Sequence, residues 1–161
     1  MLKQLNQTIW VSGSGEEFLF SEIVSIIQPR VSSGDKLYIG SDSFVSNKKV
    51  NFVTALCLTG LGESRYFFKK ENVPRTLYQN LVSRILEETR RSVEICEILI
   101  ENNNILHEQI EIHLDVSPTH LNNGTSRFSE MLKGYVSAYG VSCKLKPNAW
   151  ASQSVADKHS K

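Results

Sequence analysis

Leu37-Tyr38-Ile39-Gly40-Ser41-Asp42-Ser43-Phe44 begins as a core strand and then places an acid in the sheet. Its β-branched and aromatic residues suit a pleated, covered surface. An ionised carboxylate loses several kcal/mol of solvation when it enters such a place. No Lys or Arg within the stretch offsets that loss. Asp42 therefore either ends the strand in a turn, which Asp and Ser favour, or faces a distant basic side chain or a bound cation. The remaining chain has to show which.

Residues 1–15 are polar and glycine-containing, with Trp10-Val11 the one bulky pair, and predict a docked arm or a flexible segment. A helix follows from about Phe20, with Ser21 as its cap and Glu22 at its positive end. It stops between Pro29 and Ser33. Three strands come next, 37–44, 50–58 and 64–69, joined by short turns into an antiparallel meander. The second is apolar at nearly every position and predicts cover on both faces. After Pro74 a 3.6-residue period (Tyr78, Leu81, Val82, Ile85, Leu86, Val93, Cys96, Leu99, Ile100) marks a helix over 76–101.

Glu108 to Val116 alternates cleanly, with Ile110, Ile112, Leu114 and Val116 on one face and Glu111, His113 and Asp115 on the other. Ser117-Pro118 breaks this fourth strand, and Asn122-Asn123-Gly124 is a loop that can serve as a substrate-side lid or simply lie exposed. A helix over 126–139 stops at Gly140. A fifth strand spans 141–146, and a short helix runs from Trp150 to the C-terminus. Strand-helix-strand steps cross over right-handedly, which makes the first, fourth and fifth strands parallel neighbours. The expected architecture is α/β: a mixed five-stranded sheet flanked by helices, with an extra N-terminal helix, in one domain over 1–161.

Length and charge narrow the function classes. The 161 residues suffice for one real core, and the net charge of +1 excludes a polybasic protein but not a local basic patch. Cys57, Cys96 and Cys143 are odd in number and form no C-x-x-C pair, so they read as buried thiols, not as a disulfide frame or a zinc site. The N-terminus has no signal-peptide apolar core, and no apolar run nears the roughly 18 residues of a membrane span. A cytoplasmic protein without a membrane partner is expected.

Asp42 and Asp115 both fall late in their strands. Parallel neighbours would bring both to the carboxyl ends, where α/β sheets place ligands. Asp157 lies on the last helix. On the long helix Glu87 and Glu88 compete. At about 100° per residue Glu87 falls opposite the apolar stripe and Glu88 on its border, so Glu88 is the better placed to reach over the sheet. Clustered carboxylates raise one another's pKa, and a divalent cation removes that cost. Oxygen-only ligation suits Mg²⁺ or Mn²⁺. Two such ions about 3.5–4 Å apart can activate water and stabilise a leaving oxygen in phosphodiester cleavage.

This element order, with Asp on the first strand, Glu on the long helix, Asp ending the fourth strand and Asp on the last helix, resembles ribonuclease H. Several strings are similar to the ribonuclease H-like YkuK family of bacteria and their phages. They are Ile39-Gly40-Ser41-Asp42-Ser43, Glu88-Thr89-x-x-Ser92, His113-Leu114-Asp115-Val116, Gly134-Tyr135-Val136, Gly140, and Lys146-Pro147-Asn148-Ala149-Trp150-Ala151 with Val155-Ala156-Asp157-Lys158. The likeness covers about residues 20–161 and implies metal ligands at Asp42, Glu88, Asp115 and Asp157. The family is a predicted nuclease family, and the likeness supplies no natural substrate. Proofreading-type exonucleases of this fold carry Asp-x-Glu on the first strand; Phe44 stands at that position and argues against that branch.

The expected function is a divalent-metal-dependent nuclease that hydrolyses RNA, an RNA/DNA hybrid or structured DNA by a two-metal carboxylate mechanism and leaves a 3′-hydroxyl. Lys48, Lys49, Lys144, Lys146 and Lys158 are candidates for contacting the nucleic-acid backbone, with Lys69-Lys70 near them, although lysines at strand edges also block aggregation. Ser43, His113 and His159 are possible auxiliary groups. His113 reads chiefly as a hydrogen-bonded inner histidine, and His159 as a solvent-facing group on a mobile terminus. The alternative function is a catalytically inactive module of the same fold that binds nucleic acid or a protein partner. A sugar-kinase or actin-like ATPase would need a duplicated domain and a glycine-rich phosphate loop, which this chain lacks.

Overall fold

The computed structural model describes residues 2–60, 62–117 and 128–161. Its elements are α1 (Leu2–Asn6), β1 (Ile9–Ser12), β2 (Glu17–Leu19), α2 (Phe20–Ser32), β3 (Lys36–Ser46), β4 (Lys49–Thr59), β5 (Arg65–Pro74), α3 (Leu81–Asn103), β6 (Ile110–His113), α4 (Ser129–Ser137), β7 (Ser142–Lys144) and α5 (Asp157–Ser160). A wide π-helical turn, Ala151–Ala156, leads directly into α5. Pro118, the Asn122-Asn123-Gly124 loop and the expected start at Ser126 of the helix over 126–139 lie outside the described residues.

The strands form one mixed sheet in the order β2-β1-β5-β4-β3-β6-β7. β3, β4 and β5 are the expected antiparallel meander, in unbroken register from Lys36↔Thr59 to Ser46↔Lys49. β6 runs parallel to β3, and β7 parallel to β6, as the crossover rule requires. The sheet has seven strands rather than five. The segment read as an arm is a short helix and a hairpin. β1 pairs with β5 at Val11↔Phe68 and Ser12↔Phe67, and with β2 through Ile9↔Leu19. Burial drives this docking: the Trp10 side chain is fully covered, and Phe18 meets Phe67 edge-on at 5.3 Å. Without the hairpin, β5 would present an unpaired edge.

Element boundaries moved where capping or ladder pairing outweighed periodicity. β5 continues through Pro74, paired with β4, and α3 starts only at Leu81 because the Asn80 side chain accepts the Ser83 N–H at 2.8 Å. α2 opens one residue before Ser21, with the Glu22 carboxylate accepting the Leu19 N–H at 2.8 Å. β6 keeps four residues of the longer expected strand. Its alternation does not separate core from solvent, for Glu111 and His113 are buried too.

The sheet is covered on both faces. α2 and α3 lie on one, over Ile39, Leu56, Phe67 and Ile112. The C-terminal helical segment lies on the other, with Ala151 and Ala156 against Val53, Ala55, Cys57 and Phe68. β4 is buried on both faces, as its composition predicts. Cys57 and Cys96 are buried, Cys143 is half-buried, and all are free thiols. Among the described residues no helix is long and apolar enough to cross a membrane.

Candidate active site

The β3–β6 ladder sets the site. Its last pair is Gly40↔His113. Two residues further along each strand stand Asp42 and Asp115, on the same side of the sheet because side chains alternate. Asp115 and Asp157 both come near enough to Asp42 to raise its pKa. Asp157 arrives from the opposite end of the chain. Gly40 makes that possible: an added Cβ there would lie 2.5 Å from the Ser152 nitrogen and 2.6 Å from the Ala151 carbonyl carbon. The absent side chain lets the C-terminal segment lie directly on β3.

Glu88 comes from α3, over the other face. Ser43 donates its hydroxyl to a Glu88 carboxylate oxygen at 2.9 Å, and Ser41 joins Ser92 at 2.8 Å and Thr54 at 3.1 Å. These contacts pin α3 to β3. The helical wheel places Glu87 opposite the apolar stripe, yet it is buried. Arg90 and Arg91 clamp it at 2.6 and 3.0 Å, and Arg91 reaches on to Glu71 at 2.6 Å. Glu87 is thus engaged in ion pairs, while Glu88 turns toward the aspartates. Only the fold could supply Glu71 as partner, but the i+3 and i+4 spacing of the arginines was legible.

Electrostatics follow from the crowding. Burial, the Glu88 charge and the two neighbouring aspartates push the Asp42 carboxyl up to about 9. Burial pushes Glu88 up to about 8, with Asp115 adding to the effect and the Ser43 hydrogen bond and Arg84 opposing it. The set is only partly neutralised. Lys146 lies 3.0 Å from Asp115, and Lys161 lies 3.3 Å from Asp157. Ser160 donates to Asp42 over a long 3.4 Å. Sequence reasoning missed Lys161 and Ser160, although their i+4 and i+3 spacing from Asp157 was a usable signal. Among the described residues, no three or more His, Cys, Asp or Glu side chains are gathered into a metal cage. The donor chemistry nonetheless fits a hard divalent cation: the cluster is oxygen-only, short of positive charge, and holds protons it would surrender to a cation.

The auxiliary residues divide. His113 is an inner histidine: its Nδ1 accepts the Ala151 N–H at 3.0 Å, which leaves the proton on Nε2 facing Glu111 at 2.9 Å. Burial lowers its pKa and keeps it neutral. It pins the segment that carries Asp157. His159 is not a solvent-facing group on a loose end. Its ring stacks on Phe68 at 3.7 Å, and Tyr66 hydroxyl and His159 Nε2 are 3.0 Å apart. The five lysines occupy separate places. Lys48 and Lys49 are exposed at the β3–β4 turn, Lys144 on edge strand β7, and Lys158 on α5, while Lys146 is held by Asp115.

Compared with known proteins, residues 19–161 match the model of the family described as Ribonuclease H-like. No curated protein and no solved structure matches the chain significantly.

Proposed function

The chain belongs to the ribonuclease H-like family, the YkuK family, and from that membership we propose that it is a divalent-metal-dependent nuclease acting on phosphodiester bonds. One observation carries the reading: Glu88, Asp115 and Asp157, reaching Asp42 from separate parts of the chain, all raise its pKa. Such a cluster is costly to fold and has value chiefly when a cation completes it.

Asp42 and Asp115, with Glu88 and Asp157 around them, would hold Mg²⁺ or Mn²⁺. When bound, a pair of such ions supplies an activated water and stabilises the charge of an in-line displacement at phosphorus. The chain's own residues prepare the place. Ser43 orients the Glu88 carboxylate, and His113 fixes the backbone leading to Asp157. Lys146 and Lys161 hold the charges of Asp115 and Asp157. Asp42 and Glu88 release protons as a cation enters, so loading is favoured by rising pH.

Incubating the purified protein with labelled RNA, DNA, hybrid and branched substrates in Mn²⁺ tests this. Cleavage that disappears in Asp42→Asn and Asp115→Asn is the expected result. Retained Mg²⁺-dependent cleavage in both variants overturns it.

A second reading, a non-catalytic module of the same fold, draws on the lysines already paired with Asp115 and Asp157. Thermal melts separate the two. A preformed cation site raises the melting temperature with Mg²⁺ or Mn²⁺ by mass action, and a module without one does not.

A further inference from the structure

β3, β4 and β5 continue beyond the acids, and their register fixes which side chains share the face of Asp42. Directly paired residues point the same way. The rows are Asp42↔Val53↔Lys70, then Phe44↔Asn51↔Asn72, then Ser46↔Lys49↔Pro74. Successive rows are about 6.6–6.8 Å apart. Phe44 is 39% exposed, a phenyl ring on a strand whose neighbours in its row are both amides. Cations flank it: Lys70 in the acid row, Lys49 one row outward, and Arg75 just past β5. Lys69 and Arg91 nearby are tied to Glu71. Lys49, Lys70 and Arg75, by contrast, form no ion pair among the described residues. Arg75 is also held in place, its backbone N–H on the Lys48 carbonyl at 2.8 Å and its Nη1 on the Asn47 carbonyl at 3.2 Å. Ser46, Asn47, Lys48, Lys49 and Arg75 border an open recess of about 720 Å³.

We propose that this face is a platform for single-stranded nucleic acid, on which Phe44 stacks a base beside the acid cluster while Lys49, Lys70 and Arg75 hold the backbone. An exposed aromatic between unpaired cations is the chemistry that binds single strands: every base has a π-face, and the phosphates need only positive charge. A blunt duplex offers no free base to Phe44. The proposal rests on the nuclease reading for the class of its ligand, and it adds the conformation of the strand that the site accepts.

The test is fluorescence anisotropy in EDTA with a labelled oligouridine about 15 nucleotides long, near the upper end of such site sizes, and with a blunt duplex of similar length. Phe44→Ala is expected to weaken single-strand binding by about 5-fold to 150-fold, as loss of one stacked base does. Phe44→Trp restores it, and duplex binding does not change. Melting temperatures of both variants confirm the fold. Equal oligouridine affinity for wild type, Phe44→Ala and Phe44→Trp overturns the platform, and so does equal loss of single-strand and duplex binding. The two readings fail separately. A protein that binds oligouridine through Phe44 yet cleaves no substrate in Mn²⁺ overturns the nuclease alone. One that cleaves with KM unchanged by Phe44→Ala overturns the platform alone.

Discussion

Lys146 sets its ammonium 3.0 Å from Asp115 Oδ1, so part of the acid cluster is neutralised by the chain itself. A cation entering the site must compete with that lysine for Asp115. Lys146→Met should therefore have two opposite effects. Without metal it costs about 0.5–1 kcal/mol, the scale of a partly exposed pair. With metal it enlarges the rise in melting temperature across a Mg²⁺ titration, because the competitor is gone. A Mg²⁺-linked rise no larger than in wild type would show that Lys146 does not compete.

Asp42→Asn keeps the shape of the side chain and removes a carboxyl that the fold must hold protonated well above its ordinary range. In EDTA at pH 8 this variant should melt higher than wild type. A gain of about 1 kcal/mol from removing that cost corresponds to roughly 2–4 °C for a chain of this size. Scanning calorimetry measures it. A lower melting temperature would mean that Asp42 is fully compensated in the fold.

The sign of the pH dependence follows from the same residue. The unfolded chain releases the Asp42 proton near 3.8, whereas the folded site keeps it up to about 9. Between those values the native state binds the extra proton, so unfolding free energy falls as pH rises. Glu88, pushed up to about 8, acts in the same direction. His113 and His159, both lowered from 6.5, oppose it only below that pH. Metal-free melting temperature should therefore decline from pH 7 to 9, more gently in Asp42→Asn, while the gain from Mg²⁺ grows. A flat wild-type profile in EDTA would contradict the crowding.

Much of the candidate site was legible because its acids stand where local pattern is strong. Asp42 lies within a strand of clear β character and Asp115 just past another, and the parallel pairing of those strands brings the two to the same end. Asp157 needed only a C-terminal helix. What stayed hidden depended on nonlocal pairing. The burial of Trp10 comes from β1 meeting β5, which no window around residue 10 contains. A helical wheel puts Glu87 opposite the apolar stripe and does not show that Arg91 and Glu71 can follow an acid into the interior. Lys146 finds Asp115 only after β7 has docked on β6.

Arg91 is expected to matter more for stability than for chemistry. Its guanidinium joins Glu87 on α3 to Glu71 on β5 and lies 4.5 Å from the centre of the Phe52 ring. Arg91→Met leaves Glu87 buried with Arg90 as its remaining partner. Breaking a buried pair costs about 3–5 kcal/mol, and the second arginine should bring the loss below that range, to about 2–3 kcal/mol. Urea denaturation should show this as a lower midpoint with an unchanged slope. A loss below about 0.5 kcal/mol would mean that the clamp is solvated.

Gly40 tests whether the C-terminal segment must lie directly on β3. Both atoms that an added Cβ would strike, the Ser152 nitrogen and the Ala151 carbonyl carbon, belong to backbone, so no side-chain rotation relieves the clash. Gly40→Ala must push the segment outward, at about 1–3 kcal/mol for an overpacked contact. Asp157 follows on the same helical run and moves away from Asp42 with it. Lower stability, a smaller Mg²⁺-linked rise in melting temperature and lost cleavage should therefore appear together. Gly134→Ala is the control: nothing lies within 4 Å of its added Cβ, and an alanine inside α4 should stabilise the protein by about 0.5–1 kcal/mol. If Gly40→Ala lowers stability but keeps the full response to Mg²⁺, Asp157 is not part of the cation site, and the cluster reduces to Asp42, Asp115 and Glu88.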